Sequence, residues 1–183
     1  MNRSVPGIAD GDSLQGDVAL GPGCRIGAGA RLLAEGGRIR LGENVIVMPN
    51  AVLRATPGHD LTIADHCLIG PLAHVVGARI EEQVFVATGA AVFHGSILER
   101  GSEVRIHGVV HVNSRLPAGA VVPIDWVAVG DPAKILPPGD HDAIWAAQEP
   151  LNFPETVYGV PRGTPDAMVE ITRRMSARLG AAD

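Results

Sequence analysis

Aromatic side chains are scarce: the 183-residue chain holds three Phe, two Trp and one Tyr, although 46% of it is hydrophobic. Apolar surface must therefore be buried by Val, Ile, Leu and Ala, which favours thin, regular layers over a core built on large rings. Cysteine is equally sparse. Cys24 and Cys67 are far apart and form no CxxC pair, a usage that suits a reducing, cytoplasmic compartment better than a disulfide scaffold. No stretch approaches the ~18 uninterrupted apolar residues of a membrane helix, and residues 1–13 (MNRSVPGIADGDS) contain no signal-peptide core. A soluble protein without membrane attachment is expected. Positive charge is also lacking. The net charge is −5, and the one basic cluster, Arg173, Arg174 and Arg178, is short, so a nucleic-acid footprint is excluded.

Glycine (23) and proline (14) are plentiful, but the apolar fraction is too high for disorder, so the turns must be many and ordered. The decisive pattern is a period of six. Aliphatic residues recur at Ile80, Val86, Val92, Leu98, Val104, Val110, Leu116, Val122 and Ala128 without a slip. Upstream the same beat runs through Leu20, Ile26 and Leu32, then Leu41, Val47 and Leu53, then Ile63, Ile69 and Val75. Six-residue spacing fits neither a 3.6-residue helix nor free two-residue alternation. It fits a triangular coil in which each hexad supplies a very short strand and a tight corner, and three hexads close one turn. The expected fold is an all-β solenoid, a left-handed parallel β-helix of hexapeptide repeats, with C-terminal α-helices packed on it. A sandwich with Gly-rich turns is the alternative, but its strands repeat at about 8–12 residues.

The repeat divides the chain into an N-terminal extension (1–17), a β-helix domain (18–135) and a C-terminal helical region (136–183). Leu32 to Leu41 and Leu53 to Ile63 each carry a small extra loop, LAEGG and ATPGHD, whereas Val75 to Ile80 is one residue short, placing a tightened turn just after His74. Such loops project from corners, where function concentrates. Beyond residue 133 the punctuation turns helical. His141 to Glu149 forms a helix with Ile144 and Trp145 on one face, Trp145 packing on the solenoid. A proline-rich connector with Pro150, Pro154 and Pro161 follows. Thr164 is then a candidate N-cap, with Pro165 at the first helical position, for a last amphipathic helix carrying Met168, Ile171, Met175 and Leu179 along the solenoid wall.

From Asn44 to Pro138 the chain resembles the γ-class carbonic anhydrase-like family. NAVLRAT (50–56) is similar to the family's GAVLRGD, AHVVGARI (73–80) to its first metal-histidine segment, GAAVFHGS (89–96) to GAxxHGC, and VAVGDPAKIL (127–136) to VxGxPAKxxR. The resemblance implies a homotrimer with a divalent metal, usually Zn, on three interfacial histidines, two from one subunit and one from its neighbour. Three imidazoles leave an open position for a water of pKa near 7, which attacks CO2 to give bicarbonate. His74 matches the first ligand and His94 the last. The remaining ligand position is Gly89, or Thr88 if the six-residue register is held without a gap. That gapless count would put Phe93, not His94, at the last ligand position.

Other departures are Thr56 in place of the family's Asp, and Leu68 and Ile69 in place of its Gln and Asp. Arg54 is retained, and the resemblance gives it a role at the trimer interface or on an anionic substrate. His107 and His111 are read as exposed corner residues or as a substitute ligand from a neighbour. His59 and His66 are candidates to line the same cleft, and Glu81, Glu82 and Glu99 to relay protons. Three functions follow. The first is carbonic anhydrase-like lyase chemistry, the second a non-catalytic trimeric scaffold or small-anion-binding relative, and the third a hexapeptide-type acyltransferase.

Overall fold

A computed structural model describes residues 13–180, with only the backbone of Leu179. Two-residue strands alternate with corners, and each hexad swings the chain onto the next wall of a triangular prism. The result is a left-handed β-solenoid of about six turns with three parallel sheets. The first wall consists of Leu14–Gln15, Arg31–Ala34, Val52–Ala55, His74–Val76, Ala91–Val92, Val109–Val110 and Val127–Val129, and Lys134–Leu136 folds back antiparallel on its last strand. The second wall runs from Val18–Leu20 to Arg115–Leu116, the third from Arg25–Ile26 to Val121–Val122. The ladder starts where Leu14 pairs with Leu32, upstream of the boundary read from the repeat at residue 18. Residues 1–12 of that extension lie outside the described residues.

Each wall points one aliphatic side chain inward per turn. On the first wall the column is Leu32, Leu53, Val75, Val92, Val110 and Ala128, every member fully buried. Leu41, Ile63, Ile80, Leu98 and Leu116 form the second column, and Ile26, Val47, Ile69, Val86, Val104 and Val122 the third. Corners take residues that accept left-handed backbone, such as Asn44, Asn50 and Asn113. The short turn after His74 pairs Val75 with Val92, one residue less than the 18 that separate Val92 from Val110. At that turn Gly77 has φ +54, and a Cβ there would lie 2.6 Å from His59 Cβ.

Three helices follow: α1 (His141–Gln148), α2 (Phe153–Tyr158) and α3 (Ala167–Gly180). Asp140 caps α1 by accepting from the Ala143 amide, and α1 packs against Val127–Val129 and Lys134–Leu136. The proline-rich connector is itself helical, because Pro154 sits in the first turn of α2, where no amide donor is needed. Thr164 does not cap α3: its hydroxyl donates to the Pro161 carbonyl at 2.7 Å, and the helix begins after Asp166, whose φ is +52. Ile171 is buried, whereas Met168 is 65% exposed; the Leu179 side chain lies outside the described residues. Trp145, on the helix that packs against the solenoid, remains 47% exposed. No helix among the described residues is long and apolar enough to cross a membrane.

Leu98, fully buried between Ile80 and Leu116 of its column, tests the stacked interior. Leu98→Ala is expected to lower the unfolding free energy by about 2–5 kcal/mol in chemical denaturation, because neighbouring turns cannot collapse onto the cavity.

Candidate functional site

Outward-facing residues of the first wall form their own columns. Arg54 pairs in register with Val76, and continuing that register one residue past the pairs Val75–Val92 and Val92–Val110 places Phe93 and then His111 on the same outer face. His74 stands two residues to the side, on the same outer face, paired with Val52 and Ala91. His94 sits over Gly77: its Cδ2 would be 3.3 Å from a Cβ at that position. Both Phe93 and His94 therefore reach the region that the motif and the gapless count assign to one residue. The one-residue shortening at Gly77 makes this possible.

Arg54, Thr56, His74, Val76, Phe93 and His94 line one cavity of about 150 Å³. Its far side is closed by the chain's own C-terminal helices, through Phe153, Val157 and Tyr158 of α2 and Met175 and Arg178 of α3. Arg54 pairs with Glu35, from the LAEGG loop one turn below, at 2.5 Å. This carboxylate takes the place of the partner lost at Thr56, which is itself buried. His59, from the ATPGHD loop, stacks edge-on against His94 with ring centroids 5.1 Å apart.

Burial pushes the His94 pKa down to about 4, and His59, Arg54, His74 and Arg178 add to the effect by charge. Burial, with Arg54, also lowers His74. At neutral pH both imidazoles are uncharged beside two guanidinium groups. His94 Nδ1 and Arg178 Nε are buried without a hydrogen-bond partner.

Other sequence candidates lie elsewhere. His66 is exposed on a left-handed corner. Glu81, Glu82 and Glu99 pair with Arg79, Arg100 and Arg115 along the second wall. His107 is an exposed corner residue 3.5 Å from Asp125. His111 is not exposed. It is half-buried against Phe153, with ring centroids 6.3 Å apart. At Gly89, with φ +65, an added Cβ would lie 2.4 Å from His107 Cδ2, so the His107 ring stands on the place from which a residue-89 side chain would grow. Sequence reasoning missed Glu35, Phe153, Tyr158 and the part played by Arg178, which had stood out only as a member of the basic cluster. The acidic residue in the LAEGG insertion was the one available signal.

No family model matches the sequence. Gamma carbonic anhydrase 1, mitochondrial, of Arabidopsis thaliana is 26% identical over 153 residues, covering 80% of this chain and 54% of the relative. Gamma carbonic anhydrase 2, mitochondrial, of the same plant gives 26% over 153 residues, with 80% and 53% covered. The chain is thus similar to γ-class carbonic anhydrases over most of its length. It spans about half the length of these curated relatives. Among solved structures, a hexapeptide transferase family protein from Anaplasma phagocytophilum superposes with a TM-score of 0.50 at 22% identity, covering 92% of this chain and 87% of the other. That likeness concerns the fold. His74, His94 and Arg54, the three residues singled out by the motif resemblance, line one cavity.

The depressed histidines fix a pH dependence. The unfolded chain takes up protons as pH falls below about 6.5, while folded His94 stays neutral to about 4. Stability is thus unaffected above pH 6.5 and falls between 6.5 and 4. The expected loss from His94 is about 3 kcal/mol at the acid end, read by denaturant titration at several pH values, and His94→Gln should flatten that slope.

Proposed function

We propose that the chain binds a small oxyanion of bicarbonate size in the cavity of Arg54, His74, His94 and Arg178. What carries this reading is the convergence of the Arg54 and Arg178 guanidinium groups with His74 and His94 around about 150 Å³. Arginine holds an oxyanion through charge-assisted, often bidentate hydrogen bonds. Arg178 has no ion-pair partner among the described residues, so its charge is available to a ligand. The neutral imidazoles add hydrogen-bonding nitrogens without competing for the anion as acids.

The Zn site of the family does not fit this donor set. The cavity supplies two imidazoles, the third position, Gly89 or Thr88, carries none, and no group of three or more His, Cys, Asp or Glu able to hold a metal occurs among the described residues. No catalytic step is therefore derived through a metal. One observation favours a second reading, CO2 hydration by a homotrimer: His107 presents an exposed imidazole above the corner of the missing ligand, from which a second copy would deliver it. The buried free thiols of Cys24 and Cys67 support a reducing, cytoplasmic setting for either reading.

Calorimetric titration of the untagged protein with bicarbonate at pH 8, with metal analysis and stopped-flow CO2 hydration on the same sample, decides between them. We expect saturable bicarbonate binding, weakened about tenfold or more in Arg178→Gln and Arg54→Gln, with metal well below one per chain and no hydration above the uncatalysed rate. Absence of saturable binding sinks the proposal. So does stoichiometric zinc that is lost in both His74→Ala and His107→Ala, or tight saturable binding of acetyl-CoA, which would move the chain to the transferases.

A further inference from the structure

A second cavity, of about 350 Å³, lies on the other side of Phe93 and Phe153 and stands apart from the histidine site. It is lined by Phe93 and His111 of the solenoid, Trp145 and Gln148 of α1, Phe153 and Pro154 of α2, and Arg162. Its volume lies within the range of small-molecule sites, about 300–1,000 Å³. Half of the six aromatic residues in the chain converge on it, where the interior of the solenoid has no use for them. The helices that form its roof bury no residue of their own: α1 and α2 have no buried side chain, and Trp145 is 47% exposed. Three rings thus border a space of about 350 Å³.

One charged group meets the same space. The Arg162 guanidinium lies 5.0 Å from the centroid of the Trp145 ring and has no carboxylate partner among the described residues. The only acidic groups on the two roofing helices, Asp142 and Glu155, are absent from the lining. The charge at the mouth is therefore positive and unneutralised.

We propose that this cavity binds a planar, apolar carboxylate, with its ring between Trp145 and Phe153 and its carboxylate on Arg162. Planarity follows from the three rings, since offset-stacked and edge-on aromatic contacts add to simple area burial. A carboxylate follows from the planar fork of arginine, which takes two oxygens at once and stays stacked on Trp145 while doing so. Occupancy would bury Trp145 and lock α1 and α2 onto the solenoid.

Cinnamate and its neutral amide are the probes, titrated calorimetrically into the full chain. We expect one saturable cinnamate site per chain, at least tenfold tighter than for cinnamamide. Arg162→Gln, an exposed position, should remove that preference and leave cinnamamide affinity within twofold of its original value. Trp145→Leu should weaken both probes. The proposal is overturned if cinnamate does not saturate or binds the Arg162→Gln variant unchanged. It is also overturned if light scattering shows that Trp145→Leu lowers the oligomeric mass while cinnamate has no effect, because a second copy of the chain is then the occupant.

Discussion

One inward aliphatic side chain per wall per turn is the constraint on which the molecule depends. Three such side chains fill the cross-section of the prism, so each column tolerates only Val, Ile, Leu and, at the closing turn, Ala128. A ring would overfill the layer and a polar group would find no partner, because the strand backbone is committed to the turns above and below. The near absence of aromatic residues and the regularity of the period are thus two expressions of the same packing. Stability accumulates from contacts between neighbouring turns, with little that spans the whole length.

That interior leaves chemistry nowhere to go but outward. On the first wall the outer column of Arg54, Val76, Phe93 and His111 becomes a site because two departures from the period act on it. The LAEGG and ATPGHD insertions swing Glu35 and His59 back over the wall, one to hold Arg54 and the other to stack on His94. The shortened turn at Gly77 lets His94 occupy space above a residue that has no side chain. The C-terminal helices and the turn before the last of them then close the face that the solenoid leaves open, contributing Arg178 and Tyr158 to one cavity and Trp145 and Arg162 to the other.

The solenoid was legible because its period is a local property, repeated often enough that no single hexad matters. His74, His94 and Arg54 were legible through motif likeness, and all three reach the same cavity. The partner of Arg54 was not, since Glu35 meets it only after an insertion of particular length has been folded back. Nor were Phe153 and Arg178, whose positions depend on how three short helices dock, and no periodicity encodes that. The proline-rich connector misled for a related reason. Pro154 signals a helix start as readily as a break, and only the left-handed cap at Asn152 decides between them.

Gly89 shows how one substitution can redirect a whole corner. Its left-handed backbone suits glycine and resists a branched or bulky side chain. Without a Cβ, the residue exactly one turn above is free to lay its ring over the gap, and His107 does so, tethered by Asp125. A histidine restored at residue 89 alone would have to displace that ring and accept the strained backbone together. The absence of a side chain at residue 89 and the placement of His107 are therefore coupled, and a change at one position acts on the other.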